Sequence, residues 1–356
     1  MNELILAINP GSTSTKIAVY EDGRELFGQT LRHSSGELAP YKRVADQLEF
    51  RKQAIKDALK KNDIKLCDLS LIVGRGGLIR PVSSGVYIVN DAMIEDIRSE
   101  KNGEHASNLG ALIAKELADE AGGIMAIIAD PVVVDELEPV ARITGHPSIK
   151  KVSIFHALNQ KAIAKLYASE HGKKYEELNL IVAHLGGGVS VGIHKRGRVV
   201  DVNDALNGEG PFSPERSGSL PAAPLVDLCF AGTRSKEEIK KMISGRGGVV
   251  AYLGTNSFQE VEKRAKEGDG QARLISEAFA YRLAKEIGAM AAVVSGKVDA
   301  IILTGGIAYN RELMESVKSR VSFIAPVSIY PGEDEMGALA RNGFNVLQGR
   351  EEAKVY

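Results

Sequence analysis

The sequence has few cysteines, and this scarcity limits the redox chemistry that the protein can perform. Among its 356 residues are only two cysteines, Cys67 and Cys229, which lie far apart along the chain. Disulfides are typical of secreted proteins with several paired cysteines, so this count favours two free, buried thiols in a reducing compartment. We therefore expect a cytoplasmic protein without a disulfide.

Excess charge and long apolar runs are lacking as well. Lys and Arg together number 45 and Asp and Glu 46, which gives no electrostatic reason to expect nucleic acid or an anionic membrane as partner. No apolar run approaches the roughly 20 residues that span a bilayer, and no leader pattern follows Met1. We expect neither nucleic acid nor a membrane as partner.

The chain predicts an α/β protein of two domains. At 356 residues it exceeds the about 250–300 residues at which a single hydrophobic core stops growing. Runs rich in Ile, Val and Leu predict strands of a sheet covered on both faces, and helical periodicity lies between them. Strands are predicted at 4–8, 17–20, 69–73, 124–129, 180–184, 189–193, 298–303 and 327–330. Helices are predicted at 42–62, 91–101, 106–121, 156–170, 235–244, 258–267 and 271–295.

Two stretches of the sequence repeat one arrangement of strand, small polar turn, strand and tight turn. LILAINPGSTSTKIAVYEDGR is followed about 175 residues later by LIVAHLGGGVSVGIHKRGR. This spacing predicts a domain-sized duplication, and two independent hairpins are the alternative. The turn-rich TGHPSIKK places the domain boundary near residue 150.

Three turns rich in glycine or hydroxyl groups follow predicted strands. In NPGSTSTK, Gly11 is expected to adopt a backbone shape that other residues resist, beside hydroxyl groups and a lysine that can bind an anion. HLGGGVS and ILTGGIAYN expose backbone amides, the second before a helix that begins near Asn310. Each loop alone can be a plain turn. The residues predicted to contact a phosphate-bearing ligand are Gly11, Ser12, Ser14, Lys16, His184, Gly186, Gly187, Gly188, Gly305, Gly306 and Asn310.

Two common nucleotide motifs are absent from the sequence. It contains no GxxxxGK[ST], and no GxGxxG stands between the first strand and a helix. A P-loop protein and a dinucleotide-binding fold are therefore disfavoured. No HxxxH or cysteine pair indicates zinc.

The motifs NPGSTSTK, HLGGG, ERSGS and TGGIAYN, in this order, resemble those of the carboxylate kinases, which comprise acetate, propionate and butyrate kinases. The resemblance extends from Asn9 to about Glu335. GRGGLIRPVSSGVY, FHALNQKAIAK and GPFSPERSGSLP are similar to the butyrate kinase branch, including its branched-chain forms. Acetate kinases carry HRVVHGG-like and FHGTSH-like stretches in place of GRGGL and FHALNQ.

The resemblance implies a fold and a reaction. The fold would be two duplicated RNase-H-like (actin-like ATPase) domains, each with a central mixed sheet, with ATP in the cleft between them. The domains would comprise residues 1–150 plus a returning helix at 336–356, and residues 151–335. ATP would phosphorylate a short-chain carboxylate, with butyrate or isobutyrate favoured, to an acyl phosphate by direct, reversible in-line transfer with Mg²⁺. The family also suggests a homodimer or a higher homo-oligomer.

The chemistry of this reaction calls for positive charge rather than a general base. A carboxylate is already ionised at neutral pH, but it must approach a polyanionic triphosphate. Arginines pair with both anions through forked hydrogen bonds. Arg75 in VGRGG lies directly after a predicted strand, and Arg216 in SPERSGS lies in a loop rich in proline, serine and glycine, which suits this role. A solvated surface charge is the alternative for each.

The resemblance adds further site residues. The catalytic group would comprise Asn9, Arg75, Asp130, His156 and Arg216, with His156 donating a hydrogen bond to the phosphoryl group, and the metal ligands would be Asn9, Asp130 and Glu335. Neighbouring Glu333 and Asp334 leave the position of the metal glutamate open. The acyl pocket would comprise Gly76, Gly77, His105 and Phe155. The remaining histidines, expected in surface or turn positions, are His33, His146, His171 and His194.

Gly76 and Gly77 carry the prediction of substrate size. Acetate kinases have bulky valines here, so the two glycines predict space for a longer acyl chain, and Gly77→Val should shift preference toward shorter acids. The alternative is that both glycines serve only a tight turn.

Three other functions remain open from the sequence. The first is acetate or propionate kinase activity. The second is an actin-like or heat-shock-type ATPase without a small-molecule acceptor, in which Arg75 and Arg216 would have no substrate. The third is a regulator on a sugar-kinase fold, for which the sequence before the first strand leaves no room for a helix-turn-helix.

Overall fold

A computed structural model describes residues 3–356 of the chain as two compact units. Unit 1 comprises the described residues up to Val134, Ala157–Asn159 and Asp334–Tyr356, and unit 2 comprises Asp135–His156 and Gln160–Glu333. The predicted boundary near residue 150 differs from this division, because the contacts of Asp135–His156 assign that segment to unit 2.

Strands and helices alternate along most of the chain, as the sequence predicts for the α/β class. The strands are β1 (Leu4–Pro10), β2 (Ser14–Glu21), β3 (Arg24–Arg32), β4 (Leu71–Arg75), β5 (Val86–Ile88), β6 (Met125–Ala129), β7 (Asn179–Leu185), β8 (Val189–Lys195), β9 (Arg198–Val202), β10 (Ala300–Gly305), β11 (Val327–Pro331) and β12 (Lys354–Val355). The α-helices are α1 (Ser35–Leu38), α2 (Leu48–Lys61), α3 (Asp91–Ser99), α4 (Asn108–Glu120), α5 (Ala157–Glu170), α6 (Ala222–Phe230), α7 (Lys236–Ile243), α8 (Gly248–Leu253), α9 (Phe258–Lys266), α10 (Gly270–Val293), α11 (Arg311–Val321) and α12 (Glu335–Leu347). Short 3₁₀ helices lie at Val44–Gln47, Leu66–Asp68, Pro139–Arg142, Tyr175–Glu177 and Gly306–Tyr309.

Each unit is built on one mixed sheet. In unit 1 the strand order is β12-β5-β6-β4-β1-β2-β3, in which β1, β2 and β3 run antiparallel and β4 and β6 run parallel to β1. In unit 2 the order is β11-β10-β7-β8-β9, with β7, β8 and β9 antiparallel and β10 and β11 parallel to β7. The strand orders β3-β2-β1-β4-β6 and β9-β8-β7-β10-β11 therefore have the same connectivity and the same strand directions. This agreement confirms the predicted duplication.

The central strands are buried because helices cover the sheets. In unit 1 the side chains of Ile5, Leu6 and Ile8 are fully buried, and α12 packs closely on β1 and β4. A Cβ at Gly343 of α12 would lie 2.9 Å from Ile5 Cδ1, so the glycine permits this close approach. In unit 2 the alanine-rich α10 packs on β7, β8 and β9.

Several sequence expectations need correction. The predicted helix at 336–356 ends at Leu347, and the short strand β12 follows it. The predicted helix at 42–62 begins with a 3₁₀ turn before α2. Cys67 and Cys229 are free as predicted, but both are exposed rather than buried. Across residues 3–356, no helix is both long enough and apolar enough to cross a membrane.

Candidate active site

Three predicted site residues lie at one edge of the unit 1 sheet. Asn9 is in β1, Arg75 is the last residue of β4, and Asp130 directly follows β6. The parallel registers pair Ile8 with Gly74 and Arg75 with Ala129, so the three residues lie level on adjacent strands. Ligands of open α/β sheets gather at such carboxyl ends of parallel strands.

Arg75 connects two polar residues that are almost fully buried. Its Nη1 donates to Asn9 Oδ1 at 3.3 Å and pairs with Glu335 Oε1 at 2.9 Å, while Asn9 Nδ2 donates to Glu335 Oε2. Asn9 is 4% exposed and Glu335 is 6% exposed. Glu335 lies in the first turn of α12, where the helix dipole also favours a carboxylate. The structure thus brings Asn9, Arg75 and Glu335 together.

Asp130 is held by the loop before β5. Its Oδ1 accepts hydrogen bonds from Ser84 Oγ at 2.6 Å and from the Gly85 amide at 2.9 Å. Its φ of 37° lies in the left-handed region, which non-glycine residues seldom adopt. Strained backbone of this kind clusters at functional sites and persists where surrounding contacts fix it.

The oxygen atoms of this cluster fit a magnesium ion. Mg²⁺ binds through one or two carboxylates, together with waters and substrate phosphates. Both described hydrogen bonds to the Asp130 carboxylate go to Oδ1, so Oδ2 accepts no described hydrogen bond and has room to bind a metal ion. Asn9 and Glu335 offer oxygens too, although Arg75 contacts both in this structure.

The turn between β1 and β2 is held by a buried residue that sequence reasoning missed. Arg51 of α2 is 1% exposed, and its guanidinium donates to the carbonyls of Gly11 and Ser14, each at 2.8 Å, and of Ser12 at 2.9 Å. With these carbonyls turned inward, the side chain of Ser12 is exposed at the surface of the turn, as is that of Lys16. Burial lowers the pKa of Arg51 to about 10. The Arg51 guanidinium thus stays charged at neutral pH.

Two expectations for this turn are corrected. Gly11 has no left-handed φ, and a Cβ there would lie at an ordinary 3.5 Å from Ser14 Oγ, so the turn does not require glycine. His33 is not a surface residue: it is 5% exposed, and its Nε2 contacts the buried Thr15 Oγ1 at 2.9 Å.

In unit 2 two predicted histidines converge on a glutamate. The ring centroids of His156 and His184 are 4.1 Å apart. Glu333 Oε2 lies 3.5 Å from His156 Nε2 and 3.6 Å from His184 Nε2. The sequence left Glu333 open only as a magnesium ligand, whereas the structure places it beside these histidines.

Arg216 lies against the second glycine loop. Its Nη1 donates to the Ala205 carbonyl at 2.6 Å, and burial lowers the pKa of this guanidinium. A Cβ at Gly188 would lie 1.9 Å from Arg216 Nη1, so only glycine leaves space for it. Ser213 Oγ donates to the Gly187 carbonyl at 2.7 Å and fixes the loop. A Cβ at Gly186 would lie 3.1 Å from His184 Nε2, so the loop backbone at Gly186 lies close to the His184 ring.

The third glycine turn leads into α11. Gly305 has a φ of 95°, and a Cβ there would lie 2.4 Å from the Leu185 carbonyl oxygen, so this position requires glycine. Gly306 begins a short 3₁₀ helix, and Asn310 caps α11 by accepting from the Leu313 amide at 3.0 Å. Asn310 also lines a cavity of about 370 Å³ between α9, α10 and α11.

The space predicted at Gly76 and Gly77 is filled. A Cβ at Gly76 would lie 2.5 Å from Pro131 Cβ, and one at Gly77 would lie 2.3 Å from Asn108 Oδ1 and 2.6 Å from Asn108 Cα. Both glycines therefore serve close packing, and we expect Gly77→Val to disturb the loop rather than to shorten a pocket. Phe155 is 2% exposed, and the exposed His105 bonds Ser107 through Nδ1 at 2.8 Å. A role of these residues toward an acyl chain stays a prediction.

His194 also departs from expectation. It is fully buried rather than at the surface, with Nδ1 2.6 Å from Tyr175 Oη and Nε2 3.0 Å from Gln160 Oε1. Alternation in VSVGIHK alone would put His194 on the polar face of β8, so only the expectation of a sheet covered on both faces could have indicated its burial. His146 and His171 are exposed, as expected.

The chain is similar to known proteins along its whole length. The family model described as "Acetokinase family" matches residues 147–339. Butyrate kinase 2 of Clostridium acetobutylicum is 56% identical over 352 residues, 99% of each chain. Among solved structures, Porphyromonas gingivalis acetate kinase has a TM-score of 0.81 at 20% identity, covering 97% of this chain and 100% of that one. A propionate kinase from Francisella tularensis has a TM-score of 0.75 at 20% identity, covering 96% and 98%.

The structural matches show a shared fold, which fits the duplicated actin-like ATPase architecture expected from the two sheets. The family model covers more than half of the chain, and the Clostridium relative covers nearly all of it at high identity. The chain therefore belongs to the acetokinase family.

Proposed function

We propose that the chain is a carboxylate kinase that transfers the γ-phosphoryl group of ATP to butyrate or isobutyrate, reversibly giving an acyl phosphate and ADP. One observation carries this proposal: 56% identity, across 99% of both chains, to a protein named Butyrate kinase 2. Acetate or propionate is the alternative acceptor.

The reaction suits the charge distribution around Arg75. One carboxylate oxygen attacks the γ-phosphorus in line, the bond from phosphorus to the ADP oxygen breaks, and no proton must be transferred. Arg75 already pairs with a carboxylate, that of Glu335, at 2.9 Å. Its guanidinium can pair with a substrate carboxylate or phosphoryl oxygen in the same way. Bound Mg²⁺, with Asp130, Asn9 and Glu335 as proposed ligands, would neutralise phosphate charge.

Residues of unit 2 support nucleotide binding. We propose that Arg216 and the amides of the loop at 186–188 bind phosphate, and that His156 donates a hydrogen bond without becoming phosphorylated. The cavity beside Asn310 is large enough for the adenosine moiety, and its lining includes Arg273 and Ser276 as polar groups. We also propose a cytoplasmic homo-oligomer; light scattering of the purified protein tests the oligomeric state.

Trapping with hydroxylamine tests the function. An acyl phosphate gives a hydroxamate, whereas an ATPase without an acceptor gives only phosphate. We expect a hydroxamate with ATP and Mg²⁺, and kcat/KM that rises from acetate to butyrate by at most a few-fold per methylene. ATP hydrolysis without a hydroxamate for any short-chain acid would contradict the proposal, and a preference for acetate would select the alternative.

Replacing Arg75 tests the mechanism. Arg75→Ala should lower kcat by roughly 10²–10³, the effect of losing one preorganised group that stabilises transition-state charge. Arg98→Ala is the control, because Arg98 is 60% exposed. Circular dichroism and the melting temperature must show that Arg75→Ala is folded, and near-normal turnover of that folded variant would remove Arg75 from the mechanism.

A further inference from the structure

The cluster of His156, His184 and Glu333 has the composition of a transition-metal site. Its three ligand atoms, two imidazole nitrogens and one carboxylate oxygen, all lie within 4.8 Å of one another. Two histidines and one glutamate are a common ligand set of Zn²⁺. Mg²⁺ takes oxygen ligands instead, so this set selects a different class of metal from the cluster around Asp130.

The two distances from the carboxylate to the imidazoles fit a tetrahedral ion. With ligand bonds of about 2.0–2.1 Å, two ligands of a tetrahedral Zn²⁺ lie roughly 3.4 Å apart. Glu333 Oε2 lies 3.5 Å from His156 Nε2 and 3.6 Å from His184 Nε2, which requires shifts of only a few tenths of an ångström. Both histidines present Nε2 toward the same carboxylate oxygen, so one ion can contact all three residues.

Each ligand comes from a fixed part of the unit 2 backbone. His184 lies in β7, paired on both sides with β8 and β10. His156 accepts from the Gln160 amide at the start of α5. Glu333 follows Gly332, which exchanges two backbone hydrogen bonds with Gly305, at 2.9 and 3.0 Å. A site that is preorganised in this way loses little conformational freedom when a metal binds.

We propose that His156, His184 and Glu333 form a binding site for a first-row divalent metal ion such as Zn²⁺, and that the bound ion inhibits phosphoryl transfer. Three protein ligands leave the fourth position open to water or a phosphate oxygen. The inhibition rests on the proposed function, because a metal bound to Nε2 removes that atom of His156 as a hydrogen-bond donor. The binding itself does not depend on it.

Calorimetry of the metal-free full chain with Zn²⁺ alone tests the binding, and the visible absorption of added Co²⁺ tests the geometry. We expect one site per chain and the intense absorption of tetrahedral Co²⁺. Glu333→Gln and His184→Ala should weaken binding by at least about 100-fold, more than the loss of a residue that only supports a ligand. The matched controls Glu237→Gln and His146→Ala change exposed residues and should bind as the wild type does.

Kinase assays at buffered free Zn²⁺ and saturating Mg²⁺–ATP test the inhibition. Turnover of the wild type and of both controls should fall as the site fills, while Glu333→Gln should need at least about 100-fold more Zn²⁺. No stoichiometric Zn²⁺ site in the wild type, or unchanged affinity in Glu333→Gln, would overturn the proposal even if hydroxamate is formed. Zn²⁺ binding without any hydroxamate would instead overturn the proposed function alone.

Discussion

At the scale of single residues, the Arg216 guanidinium determines why residue 188 is glycine. Gly188→Ala would place a Cβ 1.9 Å from Arg216 Nη1, the mobile end of a long side chain, so the guanidinium should move while the fold is kept. If Arg216 stabilises the transition state, kcat should fall by roughly 10²–10³. Steady-state kinetics with butyrate measure this effect.

Gly145, which lies outside the proposed site, provides the control. A Cβ at Gly145 would meet nothing within 4 Å, so Gly145→Ala should keep nearly full activity. The double variant Gly188→Ala/Arg216→Ala should be no slower than Arg216→Ala, because both changes remove one interaction. Additive losses would show that Gly188 acts independently of Arg216.

Arg51 has a buried structural role that no local sequence pattern indicates. Arg51→Met keeps much of the side-chain length but leaves the carbonyls of Gly11, Ser12 and Ser14 without their donor. We expect the free energy of unfolding to fall by more than about 2 kcal/mol and the KM for ATP to rise as the turn loosens. Denaturant unfolding and steady-state kinetics check both, with the exposed Arg43→Met as control. A variant with wild-type stability would contradict this role.

These residues show how far sequence reasoning reaches. Asn9, Arg75 and Asp130 could be predicted because each follows or ends an apolar strand, and parallel strands bring their ends together. Arg51 could not, because its partners lie about 40 residues earlier in the chain, and its charge is typical of a surface helix. The close packing at Gly77 was not foreseen for a similar reason: only the position of α4 shows that Asn108 lies directly beside this glycine.

At the scale of elements, exposure decides which strands the sequence can predict. Eight strands were predicted to within a few residues, because their apolar runs reflect burial, whereas the short strands β5 and β9 were missed although each has buried residues. β3 was missed because it has no buried residue and lies at the edge of its sheet. β12 was not predicted either, because its two residues are too few to show an apolar or alternating pattern. It is a strand only because it pairs with β5.

Within β8, the buried His194 should make unit 2 sensitive to acid. Burial, and then the charge of Lys161, hold the pKa of His194 well below its usual 6.5. The unfolded chain therefore binds a proton that the folded chain does not. The stability that the protein gains from keeping His194 neutral is therefore fully present above about pH 6.5. It is lost as the pH falls from there toward the pKa of His194 in the folded protein.

His194→Gln tests this sensitivity. The amide cannot take up the proton, so the melting temperature of the variant should fall less steeply between about pH 7 and pH 5 than that of the wild type. Thermal unfolding across this range measures the slope, which is independent of any constant loss of packing. The exposed His146→Gln should keep the wild-type slope, and an equal slope in His194→Gln would contradict the assignment.

At the scale of the whole molecule, unit 1 depends on a distant part of the chain. The α12 helix packs on β1 and β4, and β12 adds to the β5 edge of the same sheet. A chain that ends at Glu333 lacks both elements, so we expect it to lose kinase activity and to expose its sheet to proteolysis.

Adding residues 334–356 as a separate peptide should partly restore that activity, because α12 buries apolar side chains such as Leu339 and Phe344 on the sheet. Titration of the peptide against hydroxamate formation measures the recovery. A truncated chain with wild-type activity and protease resistance would contradict the dependence, and a scrambled peptide serves as the control.

The same connectivity has a consequence for synthesis in the cell. Unit 2 occupies nearly all of the chain between Val134 and Asp334, so the ribosome must translate about 200 further residues before α12 emerges. About 260 residues separate the end of β4 at Arg75 from the start of α12 at Glu335, so at about 5–20 residues per second β4 waits roughly 13–52 s for the helix that covers it, and β1 waits longer. During that interval the apolar side chains of the nascent sheet are open to chaperones and to neighbouring nascent chains, while unit 2 can complete its own sheet as soon as β11 has been made.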